Sequence, residues 1–277
     1  MLPRFKIIGD LTILEIVNLL TIGISSFNIK QQVPNDILEN NQYIPPQNLK
    51  SQAYLDSINA RTINQKIQLN EKKSKSIIFN FTKNYQFSSR LLLNGVKLET
   101  VQDTKLLGTI ISNDLKWNKN TDNIVNKANA RMQILRKISN FGASMDDLKN
   151  IYFLYIRNLL KQSCSVWHSG LTQENIEDLE RVQKCALRII LNDSYKSYEN
   201  ALSMLDIETL EDRRKNLCLQ FAKKCLKNDK MKHLFPGNMK NHTMKTRNEE
   251  QFHVEHFNTE RLRDSPIIYM QRLLNEN

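Results

Sequence analysis

The chain has 277 residues, enough to bury a sizeable apolar core in one large domain or two smaller ones without a disulfide or metal staple. With 40 Lys+Arg against 29 Asp+Glu it carries a formal net charge of +11, a balance that attracts polyanions such as nucleic acid or an anionic membrane surface. No run of about 18 apolar residues occurs, which argues against a membrane-spanning helix.

The most apolar early stretch, Leu11 to Ile24, is interrupted by Glu15 and Asn18 and has no small-residue cleavage site after it. Ile13, Ile16, Val17 and Leu20 recur at helical spacing, so the stretch reads as a buried helix rather than a secretory signal. Residues 31–53 turn polar around Pro34, Pro45 and Pro46 and read as a loop, followed by a short helix from Gln52 to Asn64.

From Ser76 to Ser112 the period changes to that of strands. Ile77, Ile78, Phe79 and Phe81 form one apolar run, and Leu91–Leu93 and Val96–Leu98 flank Asn94-Gly95, the dipeptide that best suits a type I′ hairpin. A strand over Lys105–Ser112 completes a small antiparallel sheet. Beyond Trp117 the pattern is helical almost to residue 228, so the fold class is α+β with a mainly α-helical second part.

In the first of these helices Thr121 is the expected cap, Ile124, Ala128, Met132, Leu135 and Ile138 the inner stripe, and Lys127, Arg131, Arg136 and Lys137 the outer one. Ser144 with Asp147 opens a core helix through Leu148, Tyr152, Tyr155 and Leu159. Thr172 starts another, with Ile176, Leu179, Val182, Ala186 and Ile189 inside. Thr209 with Asp212 caps a further helix that places Leu210, Leu217 and Phe221 inward and Arg213, Arg214, Lys215, Lys223 and Lys224 around them. Pro236-Gly237 ends the regular part, and a last short segment spans Ile267–Leu274. The expected divisions are 1–117, 118–235 and a polar, loosely ordered tail over 236–277.

The four cysteines, Cys164, Cys185, Cys218 and Cys225, have no CxxC spacing and are expected to be reduced thiols in a nuclear or cytoplasmic protein that is not secreted. Cys164 and His168 stand four apart, as helical metal ligands can, but no second pair accompanies them. A structural role for both is the better reading.

Several phrases fall in the order seen in non-LTR retrotransposon reverse transcriptases of the Jockey type. They are Asp10-Leu11-Thr12 before an apolar helix, Leu69-Asn70 with Lys73-Ser74-Lys75, Leu107-Gly108 with Leu115-Lys116-Trp117, Leu179–Leu191, and Thr259-Glu260-Arg261-Leu262 with Ser265-Pro266. The chain resembles the C-terminal part of such an enzyme: palm end, thumb and post-thumb helices. The resemblance implies that residues 1–117 are a palm remnant with its hairpin sheet and 118–235 a thumb-like array. It implies Mg in the intact enzyme, held by paired carboxylates that activate the primer hydroxyl.

Here Gly9 stands where the resemblance calls for the first Asp of the pair, and Asp10 where it calls for the second. Glycine has no ligand to offer, so Asp10 is expected to be a vestigial metal ligand and the chain to need no cofactor and to be an inactive polymerase derivative on its own. Lys73 matches a lysine that the resemblance places near the triphosphate, and the residues expected to meet backbone phosphate are Lys116, Lys119, Lys127, Arg131, Arg136 and Lys137. The expected partner is RNA or an RNA/DNA hybrid, with no membrane and no small-molecule substrate.

Three alternatives stand beside this. The chain can be part of an active reverse transcriptase whose N-terminal portion lies outside it. Leu107–Phe141 is also similar to the short N-terminal helical segment of AlkB-homologue tRNA-modifying enzymes, which would make it a non-catalytic binding module; no His-x-Asp of an iron dioxygenase is present. Finally, Tyr152, Tyr155, Trp167 and Phe221 could line a groove for a protein partner.

Overall fold

The computed structural model describes residues 51–79, 91–229, 231–237 and 252–276 except 255 and 258, together with the backbone of 6–8, 38–39, 42–43 and 46–50. The expected helix over Leu11–Ile24, Phe81, Gly9 and Asp10 lie outside the described residues. The fold is α+β: short strands and hairpins occupy one compact unit, Met1–Lys116, and a helical array the other, Trp117–Asn277.

In the first unit the elements run β1 (Lys6–Ile8), β2 (Leu38–Glu39), β3 (Gln42–Tyr43), α1 (Pro46–Asn64), β4 (Lys75–Ile78), β5 (Leu92–Leu93), β6 (Val96–Lys97), β7 (Glu99–Val101), β8 (Asp103–Leu106) and β9 (Thr109–Ser112). Helix α1 begins at Pro46 rather than Gln52, because a proline at the first helical position loses no hydrogen bond and already has helical φ. The hairpin β5–β6 turns at Asn94 (φ 52°) and Gly95 (φ 80°), as a type I′ turn requires. Leu55 of α1 buries against Leu91, Leu93 and Leu98, with Leu69 beside them.

The Gln52 side chain then pins that hairpin to the helix, its amide donating to Leu92 O (2.8 Å) and its oxygen accepting from Leu92 N (2.9 Å). At the tip, Asn59 donates to Asn94 Oδ1 (2.7 Å) and Asn94 donates to Glu71 Oε1 (2.5 Å). The expected single strand over Lys105–Ser112 is instead the hairpin β8–β9, turned at Leu107 (φ 49°) and Gly108 (φ 95°). A glycine inside a strand-like run was the turn signal there. Strand β4 pairs in parallel with β1 on one side and β7 on the other, which accounts for the deep burial of Ile77.

The second unit holds α2 (Asn118–Asn140), α3 (Met145–Ile151), a π-helical turn (Tyr152–Arg157), α4 (Asn158–Lys161), α5 (Cys164–Trp167), α6 (Gln173–Leu191), α7 (Tyr198–Leu205), α8 (Leu210–Leu226), α9 (Glu260–Arg263) and α10 (Pro266–Glu276). Helices α2 and α6 pack on each other, Ile124, Ala128, Met132 and Leu135 facing Leu179, Val182, Ala186 and Ile190, with both alanines fully buried at the contact. Their N-terminal ends are joined by Asn175 Nδ2 donating to Asn118 Oδ1 (2.9 Å).

Thr121 is not the cap of α2. The helix starts a turn earlier at Trp117, which offers no side-chain cap, and Thr121 is buried in its first turn. Trp117 packs on Gly170, where a Cβ would lie 2.7 Å from the indole Nε1, so a larger residue at 170 would displace the ring. Ser144, Thr172 and Thr209 do cap their helices, each accepting the backbone N–H three residues on.

Helix α7, capped by Ser197, packs on α6. The closing helix α10 is not part of a loose tail. Ile267, Ile268, Met270 and Leu273 are buried in this unit, α10 packs on α8, and Gln271 Nε2 donates to Leu234 O at 3.0 Å.

A directed chain of hydrogen bonds crosses the centre of the helical unit. Tyr152 Oη donates to Gln183 Oε1; Gln183 Nε2 donates to Tyr198 Oη (2.9 Å) and to Glu208 O (3.0 Å); Tyr198 Oη donates to Glu180, whose carboxylate accepts Leu210 N at 3.2 Å. Gln183 and Tyr152 are both wholly buried. Removing the Tyr152 hydroxyl strands the Gln183 oxygen, so Tyr152→Phe should lower unfolding free energy by about 1–3 kcal/mol. Gln183→Ala should cost more, since it adds a cavity. In urea titrations the double variant should lose clearly less than the two single losses added together; strict additivity would show that the two side chains are not coupled.

Candidate nucleic-acid interface

Helix α2 turns about 100° per residue, and this sorts the cations assigned to phosphate. Lys119 and Lys137 lie on one line opposite the buried stripe, about 27 Å apart along the axis, and both are exposed. Lys127 is half-exposed on the flank of that line. With Asp122, Asn123, Asn126 and Ala130, Lys119 and Lys127 border a shallow surface groove.

Arg131 is not on this face. It is half-buried, and its Nη1 donates to Tyr155 O at 2.5 Å, tying α2 to the π-helical turn. Arg136 is exposed on the other flank of α2. Lys116 is exposed at the end of the first unit, its backbone N–H held by Asp114 Oδ1 (3.0 Å). The six residues therefore do not form one stripe: Lys119 and Lys137 share the line opposite the core, with Lys127 on one flank and Arg136 on the other.

Lys73 sits exposed on the 3-10 turn Glu71–Lys73, whose first turn is capped by Asn70 Oδ1 accepting Lys73 N at 3.0 Å. That backbone contact orders the turn. Gly9 and Asp10, the positions that the resemblance pairs with Lys73, are outside the described residues. Among the described residues no group of three or more His, Cys, Asp or Glu is placed to hold a metal ion. Nor, among them, is any helix long and apolar enough to cross a membrane.

The aromatic residues read as a partner groove do not form one. Tyr152 and Trp167 are wholly buried, Phe221 is half-buried, and of the four only Tyr155 is exposed. Trp167 uses its indole N–H on Gln162 O at 2.9 Å, as a core tryptophan should.

Arg214 is the largest departure from the expected pattern. Expected among the cations around the apolar residues of α8, it is instead 0% exposed, on the inner line of that helix with Leu210, Cys218, Ala222 and Cys225. Its Nε donates to His168 Nδ1 at 3.4 Å, and its guanidinium carbon lies 5.9 Å from the Trp167 ring centroid. Both Nη groups lack a hydrogen-bond partner. Burial lowers its proton affinity and the Glu180 carboxylate, acting from further away, raises it. No pattern in the sequence distinguishes Arg214 from its neighbours Arg213 and Lys215 except that it falls four residues from Leu210 and from Cys218.

His168 is correspondingly held neutral: burial, then the charges of Arg214 and Lys215, push its pKa down to about 4. Its other face meets Tyr269 of α10 edge-on, ring centroids 5.7 Å apart. Cys164 and Cys218 are buried side by side, with Cys218 Sγ directed at Cys164 O at 3.9 Å. The hydrogen bond between the two side chains, then burial, push the Cys218 thiol well above its usual range.

Comparison of the chain with models of protein families, with curated proteins and with solved structures found no match.

The neutral state of His168 has a pH signature. Its folded value of about 4 lies below the ordinary 6.5, so the unfolded chain binds the extra proton first as pH falls. The stabilisation is complete above about pH 6.5 and is lost as pH falls through 4, up to about 3 kcal/mol over that window. Urea unfolding at stepped pH should show this loss in the native chain and a smaller one in His168→Gln, which keeps an acceptor for Arg214; identical slopes would refute the assignment.

Proposed function

We propose that this chain is a nucleic-acid-binding derivative of the C-terminal part of a non-LTR retrotransposon reverse transcriptase, inactive as a polymerase on its own, that holds RNA or an RNA/DNA hybrid by its phosphates. The observation that carries the reading is the side of α2 opposite its core stripe. There a 23-residue helix turns Lys119 and Lys137 away from the packed interior, with Lys127 on the flank between them, in a chain of net charge +11. Cations spaced along a rigid helix suit a regular polyanion, because each phosphate contact releases a condensed counterion and needs no base-specific geometry.

The neighbours on that side support the same reading. Asn126 and Gln133 are exposed donors that can bond to phosphate or sugar oxygens, and Ala130 leaves the middle of the helix low enough for close approach. Asp122 offsets part of the charge at the N-terminal end, which places the strongest attraction toward Lys127 and Lys137. The resemblance supplies the choice of an RNA-containing duplex. It also supplies the expectation of inactivity, since Gly9 leaves Asp10 without the second carboxylate that two-ion phosphoryl chemistry needs.

In electrophoretic titrations across salt, the chain should bind an RNA/DNA hybrid with a steep salt dependence. The triple variant Lys119→Gln, Lys127→Gln, Lys137→Gln should flatten the logarithmic slope by about 2–3. Arg131→Ala should instead reduce stability through the lost Tyr155 contact and change the slope little. Absence of binding at low salt would end the proposal, and primer extension by the isolated chain with magnesium and deoxynucleotides would overturn its inactive part.

A further inference from the structure

The helix that runs from Met145 through the π-helical turn to Lys161 has a second line of residues beside its buried one: Lys149, Phe153, Arg157 and Lys161, all half-buried. The Arg157 guanidinium lies 3.5 Å from the Phe153 ring centroid and Lys149 Nζ 5.6 Å from the same point. Helix α8 packs on α4 and brings Arg213 to this line. Glu208 gives one carboxylate oxygen to Arg213 Nη1 (2.7 Å) and the other to Asn216 Nδ2 (3.1 Å).

Both oxygens of Glu208 are thus engaged, and among the described residues neither Arg157 nor Lys161 has a carboxylate within ion-pair distance. Arg157 Nε and Arg213 Nε are buried donors without an acceptor. Burial, and after it the charge of Arg213, lower the proton affinity of both Arg157 and Lys161. Three cations from two separate helical segments are therefore held near one carboxylate whose oxygens are already engaged. Cations gathered without matching counter-charge of their own form an arrangement suited to an anion.

We propose that Arg157, Lys161 and Arg213 form a binding site for a phosphate group, distinct from the face of α2. The Arg157 guanidinium, the Lys161 ammonium and the part of Arg213 not held by Glu208 suit a tetrahedral oxyanion that can accept several charge-assisted hydrogen bonds at once, better than they suit a planar carboxylate. The stack of Arg157 on Phe153 fixes one fork in advance, which lowers the entropic cost of binding. The phosphate can be that of a nucleic-acid backbone or of a free phosphorylated species; the chemistry at these three side chains is the same.

The test is thermal unfolding of the full chain in inorganic phosphate against chloride of equal ionic strength. The Tm should rise saturably with phosphate, and Lys161→Gln should weaken the apparent phosphate affinity about tenfold, the loss of one charge-assisted hydrogen bond. Without phosphate the same variant should be at least as stable as the native chain, because it relieves like-charge repulsion. Arg157→Gln should act in the same direction, while Lys105→Gln, at an exposed lysine of β8 outside both basic surfaces, should leave the phosphate dependence unchanged. A Tm that does not distinguish phosphate from chloride, or a phosphate response equal in native chain and Lys161→Gln, would overturn the site. A second titration, with single-stranded RNA, separates the sources: weaker RNA binding by Lys161→Gln assigns the site to backbone phosphate, and unchanged RNA binding with weaker phosphate binding assigns it to a free phosphorylated species. Failure of the α2 reading would appear separately, in the Lys119, Lys127 and Lys137 variants.

Discussion

The helical unit depends on the burial of one amide. Gln183 sits at the centre of α6 with no exposure, and each of its polar atoms can be satisfied only if three other elements are in register. Tyr152 must arrive from the π-helical turn, Tyr198 from α7, and the carbonyl of Glu208 from the approach to α8. An unsatisfied buried amide costs roughly as much as a small domain's margin can bear, so the network selects one arrangement of four segments where apolar packing alone would tolerate several. Its far end is electrostatic as well: Glu180 receives the Tyr198 hydroxyl and the first N–H of α8, a carboxylate at the positive end of a helix.

The π-helical turn is the geometric counterpart of this network. In a regular α-helix residues four apart drift by about 40° per step, so a line of every fourth residue spirals off the core within three turns. Leu148, Tyr152, Ile156 and Leu160 nevertheless all stay buried, because the wider turn at Tyr152–Arg157 takes up the drift. A reading at 3.6 residues per turn expects Leu148, Tyr152, Tyr155 and Leu159 inside, and it fails where the wide turn begins: Tyr155 emerges 57% exposed. The helix, its cap at Ser144 and its first two core residues were legible; the change of period was not, since nothing in Tyr152–Arg157 marks it in a single sequence.

Local chemistry was readable wherever one or two residues decide the outcome. Asn94-Gly95 set its hairpin, and Thr172 and Thr209 set the starts of α6 and α8, each through a backbone donor within three residues. Thr121 misled because the same signal lies inside a helix that begins uncapped at Trp117, where burial against Gly170 rather than a side-chain oxygen fixes the start. Charge placement was the least legible. Arg213, Arg214 and Lys215 are adjacent cations with three fates: one paired to Glu208, one enclosed, one exposed on the surface with Glu276 at 3.6 Å. Which is which follows from the orientation that the Gln183 network imposes on α8, a long-range consequence that helical periodicity does not encode.

These two devices together determine where positive charge can reach solvent. By holding the inward line at every fourth residue, the π-helical turn also holds the adjacent line, so Lys149, Arg157 and Lys161 stay aligned instead of spiralling away from one another. By fixing the start of α8 through Glu180 and Glu208, the Gln183 network brings Arg213 to that line and turns Arg214 inward. On α2 the logic is simpler: its apolar stripe is taken by α6, and Lys119 and Lys137 are what remains on the far side, with Lys127 at its edge. One basic surface therefore follows from helical period alone, and the other exists only because a buried amide and a widened turn override that period.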